Sequence, residues 1–129
     1  MILDTSAIID FLRGKPDIAE KIKKLNERNI PLYLTSIAIF EIFKGTMAVD
    51  NEKELKKIHL LLESLGVLSF DASSAKEAGI IHKTLKMKGQ IIDPEDSMIA
   101  GIAKINREPI LTKNVKHFGR IDALEVESY

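Results

Sequence analysis

The feature that most constrains this fold is a junction that recurs along the chain, where a short apolar stretch runs directly into a polar turn and then a helix. It occurs four times, and each turn carries Asp, Asn, Ser or Thr residues, which favour helix N-termini. The apolar stretches are residues 1–3, 32–34, 67–70 and 109–111, and the turns after them begin at Asp4, Thr35, Asp71 and Thr112. Because strands separated by helices form crossovers, the chain is predicted to build a parallel sheet.

The rest of the pattern completes a single α/β domain. Helical spacing of apolar residues predicts helices over residues 6–12, 16–29, 36–44, 52–65, 72–88 and 94–106. Residues 124–129 alternate in polarity as an edge strand does. The 129 residues contain no linker and no internal repeat, so we predict one domain spanning residues 1–129.

The composition narrows the chemistry that this domain can perform. There is no cysteine, which excludes disulfides, thiolate zinc sites and cysteine nucleophiles. The three histidines, His59, His82 and His117, are far apart and form no pair such as HExxH, so a zinc hydrolase site is not expected. Nineteen basic residues balance nineteen acidic ones, so any attraction for nucleic acid must come from a local cluster of positive charge.

The same composition predicts a soluble, cytoplasmic protein with no membrane partner. Every apolar stretch is much shorter than the ~18 residues that a membrane span requires. Residues 1–4 lack the basic region and the apolar run of a secretory signal.

Three acidic residues are candidates for a site at the sheet edge where the strands end, since open parallel sheets bind ligands there. Asp4 follows the first strand and fits helix capping and metal binding equally well. Glu41 stands in an apolar helix where a lone carboxylate is costly, and its alternative role is an ion pair with Lys44. Asp96 follows the N-cap Asp93 in the first turn of a helix, where acids are favoured whatever the function.

These three acids are predicted to lie within about one to two helical turns of the same sheet edge. Close carboxylates repel one another unless a cation lies among them. An all-oxygen site suits a hard divalent ion such as Mg²⁺ or Mn²⁺, and the chemistry of such a site is hydrolysis of phosphodiester bonds. Two further acids, Glu95 and Asp71, are predicted to be solvated or to cap helices.

Four landmarks, in order along nearly the whole chain, resemble the PIN-domain family and in particular the VapC-type toxins of VapBC toxin–antitoxin pairs. They are Leu3-Asp4-Thr5-Ser6, Thr35-Ser36 followed by Glu41 and Gly45, residues 93–96 leading into Ile99-Ala100, and Leu111-Thr112-Lys113-Asn114 followed by His117-Phe118. The resemblance implies a three-layer α/β/α sandwich around a mainly parallel sheet of four to five strands. It also implies a metal-dependent endoribonuclease that uses Mg²⁺ or Mn²⁺.

The resemblance further implies roles for single residues. Asp4, Glu41 and Asp96 match the first three acids of the family, and they would be both the catalytic residues and the metal ligands. Asn114 stands where many members carry a fourth acid, and it would bind metal through its carbonyl or orient a water. Asp93 either supplies the missing charge or only caps its helix.

Supporting residues follow from the same landmarks. The hydroxyls of Thr5, Ser6 and Thr112 are expected to support the acids, with local turn bonding as the alternative. The candidates for holding RNA phosphates are the basic residues near these landmarks, Arg13, Lys44, Lys113 and Lys116, together with His117.

By this resemblance the expected partners are an RNA substrate, a VapB-like antitoxin and a second copy of the chain in a homodimer. The antitoxin would lie on the apolar surface around Leu12, Phe40 and Phe43. The alternatives are a PIN-domain nuclease of RNA maturation or structured DNA, and a non-catalytic binding module of the same fold. The complete set of three acids argues against the last of these.

Overall fold

The computed structural model describes residues 1–46 and 51–129, and its five strands form one sheet in which all pairings are parallel. The strands are β1 (Ile2–Leu3), β2 (Tyr33–Thr35), β3 (Gly66–Leu68), β4 (Ile110–Leu111) and β5 (Val126–Glu127). Their order is β3-β2-β1-β4-β5, so β1 lies at the centre between β2 and β4. The predicted parallel sheet is confirmed.

Helices connect each strand to the next and lie on both faces of the sheet. They are α1 (Thr5–Leu12), α2 (Pro16–Glu27), α3 (Ser36–Glu41), α4 (Glu52–Ser64), α5 (Ala72–Met87), α6 (Pro94–Asn106) and α7 (Val115–Phe118). Among the described residues, none of these helices is long and apolar enough to cross a bilayer.

Two separate cores show that the molecule has three layers. Successive residues of a strand point to opposite faces of a sheet, and Ile2 and Leu3 of β1 accordingly belong to different apolar clusters. Leu3 packs with side chains of α1, α2 and α4, whereas Ile2 packs with side chains of α5, α6 and α7. The predicted α/β/α sandwich is therefore confirmed, and both cores hold β1 rigidly in place.

The third helix differs from its prediction in a way that matters for the site. It was expected over residues 36–44, but the α-helix ends at Glu41 and the chain continues as a π-helical turn, Ile42–Thr46. Gly45 in this turn has a φ of 128°, a conformation that favours glycine. Glu41 consequently lies at the end of α3 and not in its middle.

The last strand is also shorter than predicted. Only Val126–Glu127 of residues 124–129 pair with β4. The pairing nevertheless carries the chain back to the edge of the sheet where β1 and β4 end.

Candidate functional site

The candidate site lies at the carboxyl ends of β1, the central strand of the sheet, and of β4, which pairs with it. Asp4 directly follows β1, and its backbone N–H donates to the Leu111 carbonyl of β4 at 3.0 Å. Thr112 directly follows β4 and is fully buried. Two helix ends complete the site: Glu41 ends α3, and Asp96 lies in the first turn of α6.

Asp4 is buried, with 4% of its surface exposed, and its carboxylate is used for tertiary contacts. Asp4 occupies the N-cap position of α1, yet its side chain makes no capping hydrogen bond. Its Oδ2 instead accepts hydrogen bonds from the hydroxyls of Thr112, at 2.7 Å, and Ser6, at 2.8 Å. Capping, the alternative for Asp4, is therefore wrong for its side chain.

Glu41 is half-buried and accepts a hydrogen bond from the Thr5 hydroxyl at 2.5 Å. Burial raises the pKa of Glu41 above its usual range, and the negative charges of Asp4 and Asp96 raise it further, while the bond from Thr5 opposes the shift. The three acids are therefore close enough to act on one another electrostatically.

Lys44, the alternative partner of Glu41, forms its main contact elsewhere. Its ammonium lies 2.7 Å from Glu95 Oε1 and 5.2 Å from the centre of the Phe40 ring. The hydrogen bond to Glu95 is also the largest cause of the raised Lys44 pKa, with Glu41 a lesser one. An ion pair with Lys44 therefore does not explain why Glu41 stands at this position. Glu95, predicted to be solvated or to cap a helix, instead forms an ion pair with Lys44.

Asp96 is largely buried and contacts a histidine that follows β4. Its Oδ2 lies 3.0 Å from His117 Nδ1. Burial raises the pKa of Asp96, and the charges of Asp4 and Asp93 add to this, while the hydrogen bond with His117 opposes it. Asp93 is exposed at the N-cap position of α6, where its side chain forms no capping hydrogen bond.

Hydroxyl groups tie the turn after β4 to the turn after β1. The Thr112 hydroxyl donates to Asp4 and accepts from the Asn114 backbone N–H at 2.8 Å. The Ser6 hydroxyl also accepts from the Lys113 N–H at 3.4 Å. Thr5, Ser6 and Thr112 thus each contact one of the predicted acids, whereas the Asn114 side chain lies 2.8 Å from His117 Nδ1.

The predicted phosphate-binding residues divide into two groups. Lys44 and Lys113 are already paired with acids, Glu95 and Asp10 respectively. Arg13 and Lys116 are exposed, and within residues 1–46 and 51–129 neither forms an ion pair.

Sequence reasoning missed a second cluster beside the acids, formed by Asp10, Lys113 and Tyr129. The Tyr129 hydroxyl donates to Asp10 at 3.2 Å, and the Lys113 ammonium lies 5.3 Å from the centre of the Tyr129 ring. The hydrogen bond from Lys113 lowers the pKa of Asp10, while burial, helped by the charge of Asp10, raises that of Tyr129 to about 12. Asp10 could have been found as the residue four positions after Ser6 on α1, but no local signal places Tyr129 here.

The donor atoms brought together here suit a hard cation. Most of the candidate ligand atoms are oxygens. The pKa values of Glu41 and Asp96 are raised, and a bound cation would lower them by stabilising the charged carboxylates. Among the side chains that the structure describes, no three Asp, Glu or His residues already converge closely enough to hold an ion. Rotation of the side chains would therefore have to accompany binding.

Comparison with known proteins gives consistent results for sequence and structure. The family model described as PIN domain matches residues 1–124. Ribonuclease VapC1 of Haemophilus influenzae is 33% identical over 132 residues, covering 99% of this chain and 96% of the relative. The tRNA(fMet)-specific endonuclease VapC of Salmonella typhimurium is 29% identical, with coverage of 99% and 96%. Among solved structures, the chain resembles VapBC2 from Rickettsia felis, which was crystallised bound to a DNA fragment from the promoter. The two chains superpose with a TM-score of 0.88 at 25% sequence identity, and the match covers 99% of this chain and 97% of that chain.

Proposed function

Because this chain belongs to the PIN-domain family, we propose that it is a ribonuclease, the toxin of a toxin–antitoxin pair, with its active site on Asp4, Glu41 and Asp96. Relatives covering almost the whole chain are named ribonucleases or endonucleases. The observation that carries the site assignment is the gathering of three acids from separate elements at one sheet edge, with two of their pKa values raised by burial and by one another's charge.

The acids would hold Mg²⁺ or Mn²⁺, which fits a donor set of carboxylate oxygens. Such an ion, when bound, activates water and stabilises charge on the phosphate during phosphodiester hydrolysis. The chain's own part is to orient the ligands. Thr112 and Ser6 fix the Asp4 carboxylate, and Thr5 fixes that of Glu41.

Positive charge at the rim of the site would bind the RNA backbone. Lys113 follows Thr112 directly, and Asp10 and the Tyr129 ring hold its ammonium beside α1. Arg13 and Lys116, which are exposed, would attract phosphates more loosely. Because neutralising phosphates releases their counterions, affinity is expected to fall as salt rises, and more steeply the more of these charges take part.

An apolar groove is the proposed seat of the antitoxin. It has a volume of about 400 Å³ and lies between α1, α2 and α4, lined by residues that include Phe11, Leu12, Ile22, Leu60 and Leu61. An amphipathic helix binds such a groove through its apolar face, and the Rickettsia felis toxin is crystallised as a complex with its partner. Phe40 and Phe43, predicted to share this surface with Leu12, are exposed on α3 and the turn after it and do not line the groove.

Cleavage of total cellular RNA by the purified chain tests the proposal. The parent should cut RNA only when Mn²⁺ or Mg²⁺ is added, and mapping the cut ends would identify its substrate. The double variant Asp4→Asn, Asp96→Asn should bind Mn²⁺ far more weakly in calorimetry and lose about a hundredfold or more in cleavage rate, since charged catalytic groups are worth that much. It should be at least as stable as the parent without metal, because repulsion is relieved.

The variant Asp17→Asn is the matched control, since Asp17 is an exposed acid on α2. It should bind Mn²⁺ and cleave RNA as the parent does. If the double variant bound Mn²⁺ as tightly as the parent, the site would be wrong. If the parent cleaved no RNA with either ion present, the ribonuclease assignment would be wrong, and the structured-DNA nuclease and the binding module would be the alternatives left.

A further inference from the structure

His117 lies where donor atoms from two further residues meet. Its Nδ1 is 3.0 Å from Asp96 Oδ2, in the first turn of α6, and 2.8 Å from the Asn114 side-chain amide, before α7. The histidine side chain is 36% exposed, so its ring can be reached from the site. Asn114 is the position at which, by the family resemblance, many members carry a fourth acid.

With the Asn114 amide nitrogen facing Nδ1, these two contacts cannot both be hydrogen bonds at one time. A single imidazole nitrogen either carries a proton and donates, or lacks it and accepts. Donation to Asp96 leaves the Asn114 N–H pointing at another N–H, and acceptance from Asn114 leaves the nitrogen lone pair facing a carboxylate. A half-turn of the Asn114 amide would present its carbonyl oxygen to Nδ1. An Nδ1 that carries a proton would then donate toward both oxygens, whereas an Nδ1 without one would bring three lone pairs together, an arrangement that a cation stabilises.

The spacing of these atoms matches that of neighbouring ligands on an octahedral ion. Bonds of roughly 2.1 Å at right angles put adjacent ligand atoms about 3.0 Å apart. The observed separation of Asp96 Oδ2 and His117 Nδ1 is 3.0 Å. Both atoms can therefore bind one ion with little change in their separation.

We propose that His117 is a metal ligand through Nδ1, beside Asp96 and the Asn114 carbonyl, and that it makes the centre selective for Mn²⁺ over Mg²⁺. This inference rests on the metal site of the proposed function and adds a ligand to it. Imidazole suits transition-metal ions, whereas Mg²⁺ prefers oxygen ligands and water. Replacing an acid by Asn removes charge that would favour Mg²⁺, and the imidazole nitrogen provides a donor that favours Mn²⁺.

The competing interpretation is that His117 only orients Asp96 by donating a hydrogen bond. In that case the bound ion has no nitrogen ligand, and a variant that keeps a side-chain N–H donor would leave the choice of ion unchanged. Electron spin-echo measurements on bound Mn²⁺ separate the two cases, because a directly bound imidazole nitrogen modulates the echo and a more distant one does not.

The experiment uses untagged full-length protein loaded with Mn²⁺, and it compares the parent with His117→Gln and His59→Gln. His59 is exposed on α4 and is the control. The parent and His59→Gln should show coupling to nitrogen, and His117→Gln should lose it. The ratio of the Mg²⁺ to the Mn²⁺ dissociation constant should also fall at least roughly tenfold in His117→Gln, since even the partners behind metal ligands are worth about 10- to 100-fold in affinity.

Two results would overturn the inference, and they differ in what they say of the proposed function. If the parent binds Mn²⁺ without nitrogen coupling, His117 is not a ligand, and the carboxylate site stands. If the parent binds no Mn²⁺ at all, the metal site itself falls with it. The parent spectrum keeps the inference falsifiable even if His117→Gln fails to fold, because bound Mn²⁺ without nitrogen coupling overturns it.

Discussion

At the scale of single residues, Glu41 combines the two properties expected of a metal-binding acid, burial and nearby negative charge. We predict that Glu41→Gln cuts RNA cleavage by about a hundredfold or more, as the loss of other electrostatic catalytic groups does. Glutamine keeps the volume of the side chain and an oxygen that can accept the Thr5 hydrogen bond, so the fold should survive. Cleavage assays at fixed Mn²⁺, with the exposed Glu63→Gln of α4 as control, measure this effect.

The same substitution should have an effect on stability that depends on pH. The pKa of Glu41 is raised in the folded chain, so its charged form opposes folding above that pKa. Without metal, Glu41→Gln should therefore be more stable than the parent at pH 7. The difference should shrink as pH falls through the raised pKa and vanish below the ordinary value of 4.5. Urea unfolding in chelator at several pH values tests this, and a gain that did not depend on pH would contradict it.

At the scale of elements, the contact between α5 and α6 determines where Asp96 lies. A side chain at Gly101 of α6 would place its Cβ 2.5 Å from the Ser74 carbonyl oxygen and 2.8 Å from the Ala78 nitrogen of α5. These are backbone atoms, so the helices would have to move apart. The close approach at Gly101 therefore fixes α6 against α5, and α6 carries Asp96 in its first turn.

We predict that Gly101→Ala destabilises the chain by about 1–3 kcal/mol, the usual cost of overpacking. It should also weaken Mn²⁺ binding, because α6 carries Asp96. The control is Gly79→Ala on α5, where an added Cβ would contact nothing within 4 Å. That change should stabilise the helix by roughly 0.5–1 kcal/mol. Urea unfolding measures the stability of both variants, and calorimetry measures their affinity for Mn²⁺. If the two substitutions changed these quantities equally, the close packing at Gly101 would not position α6.

At the scale of the whole molecule, the candidate site and the groove proposed to bind the antitoxin are different surfaces that meet along α1. Leu60 lines the groove and is 58% exposed, so it contributes little to the fold of the free chain. Leu60→Glu should weaken binding of a VapB-like antitoxin by about tenfold or more, since burying a leucine is worth roughly 1.5–3 kcal/mol. RNA cleavage by the free variant should stay at the parent level.

Ile91→Glu provides the comparison for this prediction, because Ile91 is also exposed and lies outside the groove. Titration calorimetry with the antitoxin should show parent-like affinity for it. If Leu60→Glu and Ile91→Glu weakened binding equally, the antitoxin would not lie in the groove. The homodimer remains a prediction, and sedimentation of the purified chain would test it.

Much of this molecule was predictable because its signals are local. Short apolar stretches ending in capping residues indicated the parallel sheet, and the acids Asp4 and Asp96 stand at ends of elements that the pattern located. Glu41 was noticeable as a carboxylate in an apolar helix. The absence of cysteine restricted the ligands to oxygen and imidazole. Such features extend over one or two helical turns, the distance at which neighbours in the sequence constrain one another.

The contacts of the site were decided by the tertiary structure alone. The Asp4 carboxylate accepts a hydrogen bond from Thr112, which is 108 residues away, and none from the N–H groups of its own helix. Tyr129 contacts Asp10 from 119 residues away. The first contact exists because β4 pairs with β1, and the second because β5 pairs with β4. The residues within any one strand do not specify this order. Sequence thus determined which chemical groups this protein has, and the order of the strands determined which of them meet, because hydrogen bonds need atoms within about 3 Å.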